Sequence, residues 1–341
     1  MFAIAYSFRL LDNVTMIEIK VSSLEDGQRI EKFIKKSLSE APLGFIYKAF
    51  RKKDIKVNGH WVKKDAFIHE GDIVRIYVTD EQLRDFTKPK EATKKPFPYE
   101  IVYEDENILI VNKPAGLLVY GDEKEKRNTL TQHVQNYLYF KGEYDPAHHS
   151  FVPSPAHRLD RNTSGLVLFG KKDAALKELE ELFKERTSIS KKYVALVTGN
   201  LLGEGEVDAP LLKDSKTGMV KVAPLSSGAK SAKTRYRSLE IFPDSSLVEC
   251  DLLTGRTHQI RVHMAYIHHP LLGDAKYGDF SLNKVYREKY GLTMQFLHAR
   301  SFAFATIPGV LSYLSGCTFF ASLPKEKESV LLQLRKDPCS K

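Results

Sequence analysis

The chain of 341 residues carries a formal net charge of +9 at pH 7, and 42% of its residues are hydrophobic. This length suits two domains with buried cores, and the basic balance indicates either a polyanionic partner such as nucleic acid or only a solvated basic surface. Its three widely spaced cysteines argue against a disulfide framework or a zinc cluster, and no apolar run reaches the ~20 residues of a membrane span; we therefore expect a cytoplasmic protein without a membrane segment.

The first elements in chain order predict a compact unit over residues 17–83. Residues 17–23 have the pattern of a strand, and the apolar spacing in DGQRIEKFIKKSL predicts an amphipathic helix. We expect a second helix over LGFIYKAFRK. The stretch DIKVNGHWV then predicts two strands joined by an Asn58–Gly59 turn, and GDIVRIYV predicts a third strand.

Basic residues dominate this unit between Arg29 and Lys64, where only Glu31, Glu40 and Asp54 are acidic. An exposed helix normally mixes both signs, so this bias favours contact with phosphates over a merely solvated face. The candidate RNA-binding residues are Arg29, Lys32, Lys35, Lys36, Arg51, Lys52 and Lys53.

The segment 84–100, RDFTKPKEATKKPFPYE, predicts a linker. Pro89, Pro96 and Pro98 exclude a continuous helix, and the lysines favour a hydrated, extended chain. We therefore expect a second domain over residues 101–330.

Short strand patterns dominate this second domain: ILIVNK, LVLFGK, KYVALVTG, SAKTRYRSLEIF, SLVECDLL and FLHARSFAF. Two helices are predicted between them, over KDAALKELEELFKER and RTHQIRVHMAYI. Because neighbouring strands often lack a helix between them, we expect a mixed, largely antiparallel sheet. The predicted fold class is α+β.

Several standard chemistries lack their motifs. The chain has no phosphate-binding P-loop, no complete GxGxxG and no GxSxG nucleophile elbow. Its histidines do not form an HExxH pair, and the PCxxC part of the zinc-deaminase signature is absent. The sequence therefore predicts no metal site.

A carboxylate inside a basic cluster is the strongest candidate for chemistry. In HRLDRNTSGLVLFGKK, Asp160 lies among His157, Arg158 and Arg161, just before an apolar run. Asp160 could simply cap a turn, since Asp favours such positions. Alternatively, the neighbouring cations keep it ionised in a closed pocket, where it would attack a substrate or abstract a proton. The motif alone leaves both interpretations open.

A second basic cluster follows in LLTGRTHQIRVHMAYIHHPLLGDAKYG, residues 252–278. A strand is predicted to turn through Gly255 into a helix that carries Arg256 and Arg261. Five residues apart, the two arginines cannot share one narrow helix face. One of them can therefore reach into the sheet, and the other can contact solvent or phosphate.

Together, HRLDRNTSGLVLFGKK, TGRTHQIRVHMAYIHHPLLGDAKYG and VNKPAGLLV closely resemble the RluA-type pseudouridine synthases over residues 100–325. Residues 25–80 resemble an S4-type RNA-binding domain, which points to the RluC/RluD branch of that family, with closer likeness to its RluC members. The resemblance implies conversion of uridine in RNA to pseudouridine with no cofactor or metal, and a monomer in the cytoplasm.

The resemblance also implies roles for five residues. Asp160 matches the catalytic aspartate, and Arg261 the arginine that pairs with it. Tyr193 matches a tyrosine that packs on the target base, and Leu297 an apolar wall of the pocket. Arg158 would occupy the space that the extruded base vacates. The implied substrate is large-subunit (23S) ribosomal RNA; a transfer-RNA-directed synthase and a non-catalytic RNA-binding protein are the alternatives.

Overall fold

The computed structural model describes residues 5–11, 14–21, 25–38, 41–79, 81–82, 97–122, 125, 128–146, 151–185, 187–215 and 217–337. The chain forms two compact units, residues 1–96 with 136–152 and residues 97–135 with 153–341. Most of the predicted linker, residues 84–100, lies outside the described residues. Within the described ranges, no helix is both long and apolar enough to cross a membrane.

Among its described elements, the first unit combines a small sheet with two helices. Its elements are β1 (Ala5–Leu11), β2 (Val14–Lys20), β3 (Gln28–Arg29), α1 (Ile30–Ser37), α2 (Leu43–Lys52), β4 (Ile55–Val57), β5 (His60–Trp61), β6 (Phe67–Ile68) and β7 (Ile73–Thr79). Five strands form one antiparallel sheet in the order β1-β2-β7-β4-β5, and β3 pairs with β6. Buried side chains from the sheet and both helices form one hydrophobic core. The sheet begins before residue 17, where the sequence places the start of the domain.

The hairpin between β4 and β5 confirms the predicted turn. Asn58 and Gly59 both have positive φ, 49° and 83°, as a two-residue hairpin turn requires. The Asn58 side chain accepts the backbone N–H of Ile73 and donates to Asp72.

The first helix begins later than its predicted segment. Arg29 lies at the N-cap of α1, in an extended conformation, and the helix begins at Ile30.

The second unit contains a large sheet. Its strands are β8 (Glu100–Glu104), β9 (Ile108–Lys113), β10 (Ser154–Pro155), β11 (Ser164–Gly170), β12 (Ile189–Thr198), β13 (Glu204–Asp208), β14 (Leu211–Lys213), β15 (Val220–Val222), β16 (Lys233–Ile241), β17 (Ser245–Leu252), β18 (Leu297–Phe304) and β19 (Thr318–Phe320). The main order is β13-β16-β17-β12-β18-β11-β9-β8; β10 also pairs with β11, β19 with β18, and β14 with β15. This arrangement confirms the predicted α+β class.

One parallel pair makes this sheet mixed. β11 and β18 run parallel, with Ser164 opposite His298 and Gly165 opposite Ala299, whereas the other pairs of the sheet are antiparallel. Gly165 has φ +115°, and a Cβ there would lie 2.3 Å from the Ala299 carbonyl oxygen. Only glycine therefore allows the start of β11 to approach the start of β18 this closely.

Among the described residues after 97, the α-helices are α3 (Leu130–Phe140), whose residues from 136 onwards are assigned to the first unit, and α4 (Asp173–Glu185), α5 (Gln259–Tyr266), α6 (Phe280–Tyr290) and α7 (Lys325–Lys336) of the second unit. α4 was predicted from its apolar spacing, and it buries Ala175, Leu179 and Leu182. α3, α6 and α7 were not predicted. α5 is shorter than predicted, because His258 at its N-cap adopts a left-handed conformation and leaves Arg256 outside the helix.

Candidate active site

A cavity of about 310 Å³ opens beside the parallel strand pair of the second unit. Three parts of the chain contribute most of its wall: the loop before β11, the inward face of β12, and the turn from β17 into α5. All five residues that the family resemblance singles out in this domain line the cavity: Arg158, Asp160, Tyr193, Arg261 and Leu297. Residues from separate sequence motifs therefore meet at one place.

Asp160 is held by an arginine from the second motif. Arg261 Nη1 donates to Asp160 Oδ2 at 2.9 Å across 101 residues of sequence. The Asp160 side chain is 24% exposed, and that of Arg261 only 7%. Asp160 thus lies where a substrate can reach it, and the buried cation behind it orients the carboxylate through a charge-assisted hydrogen bond.

Arg261 itself is fixed by a second carboxylate, which no sequence motif indicated. Its Nε and Nη2 donate to the two carboxylate oxygens of Asp274, at 2.6 and 2.8 Å, and Asp274 is fully buried. Asp274 also accepts the backbone N–H groups of Lys276 and Tyr277. The only signal in the sequence was a lone acid in the turn-like stretch GDAKYG.

The two buried charges stabilise each other. Burial alone would lower the pKa of Arg261, but the hydrogen bonds and charge of Asp274 raise it above its usual value. Burial likewise opposes ionisation of Asp274, and the guanidinium more than compensates, so the pKa of Asp274 is lowered. Such a fork-to-fork pair orients the guanidinium, so that its remaining Nη1 points at Asp160.

His258 also lies beside Asp160, in a strained conformation with φ 56°. Its Nε2 is 3.7 Å from Asp160 Oδ2, and its Nδ1 is 2.9 Å from the Tyr277 hydroxyl. The Tyr277 hydroxyl oxygen accepts the Val220 N–H, so the hydroxyl hydrogen can be donated to His258 Nδ1. The imidazole hydrogen of His258 then lies on Nε2, towards Asp160. Burial lowers the pKa of His258, which favours this neutral form.

Tyr193 and Leu297 supply apolar wall. Both are buried, at 7% and 5% exposure, and they come from neighbouring strands β12 and β18. Burial raises the pKa of the Tyr193 phenol, and the Asp160 charge adds to that, so the ring remains neutral. Arg158 lines the same cavity, but unlike Tyr193 and Leu297 it is exposed. The site thus combines a charged group with a flat apolar surface and an accessible cation.

Buried polar contacts hold the Asp160 loop in place. The buried Lys113 donates to the carbonyls of Pro114, Leu117 and Arg161, at 2.8–3.0 Å. The Asp160 carbonyl accepts the Thr163 N–H, which closes a turn. Asp160 is therefore both a turn residue and a cavity residue, and the two interpretations of the motif are compatible.

A second buried lysine supports the other wall of the cavity. Lys327 of α7 donates to the Leu297 carbonyl at 2.6 Å and to Ser164 Oγ at 2.9 Å. It is 2% exposed, and burial lowers its pKa to about 7. The first residues of β11 and β18 are therefore tied together by the last helix.

The other basic residues of the second motif have separate positions. Arg256 lines the cavity and donates its Nε–H to the Ser231 carbonyl at 3.0 Å. His263 is fully buried, with its ring nitrogens 2.9 Å from Thr234 Oγ1 and the Ala209 carbonyl. As predicted for the two arginines, Arg261 points inward and Arg256 lies nearer the surface.

The predicted RNA-binding residues all lie in the first unit. All are exposed except Lys35, which is half-buried and pairs with Glu31 at 2.5 Å. None of them lines the cavity.

Across the described residues, no group of three or more His, Cys, Asp or Glu side chains could hold a metal ion. The metal-independent reaction stays a prediction, for which chelation is the test.

Comparison with known proteins connects this site to one activity. Residues 107–266 match the family described as RNA pseudouridylate synthase. The chain is 36% identical to ribosomal large subunit pseudouridine synthase C of Vibrio vulnificus (strain CMCP6), over 82% of this chain and 85% of that protein. It is 34% identical to the Escherichia coli (strain K12) protein of the same name, over 85% and 89% of the two chains.

A solved structure agrees with these sequence relatives. The human RNA pseudouridylate synthase domain containing 4 superposes with a TM-score of 0.55 and 26% identity, covering 69% of this chain and 92% of that one. The fold, the matched segment and the relatives all indicate one family. This chain belongs to the RNA pseudouridylate synthases.

Proposed function

We propose that this enzyme isomerises uridines of large-subunit ribosomal RNA to pseudouridine, with Asp160 as its catalytic carboxylate. The observation that carries the proposal is the geometry at Asp160. Both polar groups beside its carboxylate, Arg261 Nη1 and His258 Nε2, approach the same oxygen, Oδ2. Oδ1 has no hydrogen-bond partner among the described residues, and it is therefore the oxygen available to a substrate in the cavity.

The charges of the cluster support this role. Arg261 faces two carboxylates, Asp160 and Asp274, so the three groups together carry one net negative charge. The guanidinium orients Asp160 through a charge-assisted hydrogen bond, while Asp274 takes up part of the positive charge of Arg261. An oriented, ionised carboxylate suits both attack on C1′ of the ribose and abstraction of the proton at C2′.

The reaction is an isomerisation, so its balance needs no second reactant. The bond between N1 of uracil and C1′ breaks, the base rotates, and a bond between C5 and C1′ forms. The proton that leaves C5 is replaced by one on N1. The flat face of Tyr193 and the side chain of Leu297 give the detached uracil an apolar wall against which to turn, in a cavity that limits its escape.

The target base must leave its stack to enter the cavity, at a cost of a few kcal/mol. Arg158 is the exposed cation of the cavity wall, and its planar guanidinium can stack on the bases left behind while it hydrogen bonds to phosphate. We assign Arg158 to that vacated space.

The first unit supplies affinity for the RNA. Its exposed basic residues suit phosphate contacts, and both relatives compared above are named for the large ribosomal subunit. We assign the S4-type RNA-binding role to residues 17–83, the linker to residues 84–100 and the catalytic role to residues 101–330. We further propose that the enzyme acts as a monomer in the cytoplasm, where the free thiols Cys250 and Cys317 would stay reduced.

The direct test of the catalytic role is Asp160→Asn, which keeps the shape and removes the charge. The variant should fold and bind RNA but form no pseudouridine. Asp279→Asn is the matched control, because Asp279 caps α6 and asparagine caps equally well. Turnover by folded Asp160→Asn enzyme would refute the assignment.

The RNA target is tested in cells. Pseudouridines in total RNA are mapped in a deletion strain that carries either the parent gene or the Asp160→Asn gene. We expect specific sites of large-subunit RNA to be lost and to return only with the parent gene. Sites lost only from transfer RNA would contradict the proposed target.

The role of the first unit is tested by replacing Arg51, Lys52 and Lys53 with glutamine in the full chain. All three are exposed, so the fold should persist. RNA affinity and its salt dependence should fall, whereas the single-turnover rate at saturating RNA should not. Unchanged affinity together with a lost rate would contradict the division of roles.

A further inference from the structure

A groove on the first unit joins two aromatic side chains to a set of cations. The groove has a volume of about 670 Å³, and its wall includes Tyr47, Trp61, Arg51, Lys63 and Lys64. Tyr47 is 37% exposed and Trp61 is 43% exposed. Part of each aromatic side chain is therefore in contact with water. A ligand that covers the rings removes this apolar surface from water, and the hydrophobic effect then stabilises the complex.

The two rings are fixed at their polar edges. Trp61 Nε1 donates to the Phe50 carbonyl at 3.2 Å, which ties β5 to the end of α2. The Tyr47 hydroxyl donates to Glu31 Oε1 at 2.8 Å. Both polar tips therefore have partners in the protein, and the ring surface that remains exposed is apolar. Because the rings are already oriented, a ligand that stacks on them loses little side-chain entropy of the protein.

Ammonium groups surround the same rings. Lys53 Nζ is 5.2 Å from the Trp61 ring centroid, and Lys64 Nζ is 5.3 Å from that of Tyr47. Arg51 and Lys63 add two more cations to the groove wall, against a single acid, Asp65. The groove thus presents flat π faces with lysine ammonium groups over them, which a stacking base would displace towards its phosphates. A nucleotide has the complementary form, a flat base with a phosphate on either side.

We propose that this groove binds an unpaired nucleobase of the RNA, stacked on Trp61 and Tyr47, with the neighbouring phosphates on Arg51, Lys63 and Lys64. The inference rests on the proposed RNA-binding role of the first unit and makes it more specific. Charge alone would hold any duplex, whereas a stacking site requires a base whose face is free. The first unit would therefore select single-stranded segments near the modified uridine.

Trp61 is the only tryptophan of the chain, so its fluorescence reports on this groove in the full-length enzyme. The probes are a cytidine hexamer, which contains no uridine for the catalytic site, the same hexamer with abasic riboses, and a duplex of equal length. We expect the cytidine hexamer to quench Trp61 and to bind more tightly than the abasic one. The duplex should bind through its phosphates without quenching.

Variants separate stacking from charge. With binding measured by the fluorescence anisotropy of dye-labelled hexamers, replacing Trp61 with leucine should weaken binding of the cytidine hexamer by about 5- to 150-fold, the equivalent of one lost base stack, and should leave the abasic hexamer almost unaffected. Trp61→Phe should recover most of the affinity. Phe67→Leu is the matched control, because Phe67 is 59% exposed on β6 of the same unit but does not line the groove. Circular dichroism checks that each variant is folded.

The failures of the two proposals are distinguishable. If cytidine and abasic hexamers bind alike and neither quenches Trp61, the groove does not stack a base, although the unit still binds phosphates. If no RNA binds the full chain in a salt-dependent manner, the RNA-binding role itself is wrong. A polyglutamate peptide that quenches Trp61 as strongly as the cytidine hexamer would show a general anion site and overturn the stacking proposal.

Discussion

Asp274→Asn tests whether the buried acid behind Arg261 serves the reaction as well as the fold. Asp274 is fully buried, accepts two hydrogen bonds from the guanidinium and accepts two backbone N–H groups. Asparagine has the same shape but no charge, and its amide group replaces one acceptor with a donor. The substitution therefore leaves Arg261 buried with only Asp160 as a counter-charge.

The expected size follows from that geometry. Removing one partner of a buried ion pair costs about 3–5 kcal/mol, and we expect the lower end because Asp160 stays beside the guanidinium. For a unit of this size, about 3 kcal/mol lowers Tm by roughly 6–12 °C. The guanidinium would also turn from its fixed position, and a misplacement of about 1 Å in a catalytic group costs on the order of 10²-fold in rate.

The assay combines thermal unfolding with single-turnover formation of pseudouridine, measured well below the lowered Tm at saturating RNA. Asp279→Asn is again the control and should match the parent in both. If Asp274→Asn unfolds within 2 °C of the parent, Arg261 does not depend on this acid. If Tm falls as expected but the rate does not, Asp274 stabilises the fold and has no part in positioning Asp160.

Three further predictions concern the same site. Arg261→Met should lower the single-turnover rate steeply and leave RNA affinity nearly unchanged, because its guanidinium contacts two carboxylates; weaker binding with a normal rate would show a phosphate contact instead. Lys327 has its pKa lowered by burial from 10.5 to about 7, so the unfolded chain binds more protons between these values and stability should rise with pH across that window. Between pH 7 and pH 9, Tm should therefore rise less in Lys327→Met than in the parent. Equal rises would show that burial does not lower the pKa of Lys327. Addition of EDTA should not change the rate on an RNA hairpin that folds in monovalent salt, whereas loss of activity that Zn²⁺ or Mg²⁺ restores would reveal a metal requirement.

The elements that the sequence predicted well are those with strong local signals. The Asn58–Gly59 turn requires positive φ, and few other residue pairs adopt it readily. Six strands of the large sheet stood out because their apolar runs end at turn residues, namely β9, β11, β12, β16, β17 and β18; the sheet strands β8, β10, β13 and β19 were not predicted. The α6 and α7 helices did not stand out, because their interiors are rich in charged and polar residues and only a narrow stripe is buried.

The site residues were likewise predicted where the sequence signal is local, and missed where their role depends on contacts with distant parts of the chain. Asp160 and Arg261 were predicted because each lies in a long, recognisable motif. Asp274 and Lys327 were missed because their importance comes from partners 13 and 163 residues away, and nothing in the flanking sequence reveals such contacts. The left-handed His258 shortened α5 for a similar reason: its neighbours Asp160 and Tyr277 belong to other segments.

The parallel pairing of β11 with β18 also has a consequence for the order of events during synthesis. Ser164 lies 163 residues before Lys327, the residue that ties these two strands together. At about 5–20 residues per second, a ribosome needs roughly 8–33 s to add that stretch. For most of this interval, until β18 (Leu297–Phe304) has been translated, the Asp160 loop lacks its β18 neighbour, whereas the first unit has all the strands of its own sheet. A nascent chain can therefore complete the sheet of its first unit long before it has all the residues that line the catalytic cavity, the last of which is Leu297.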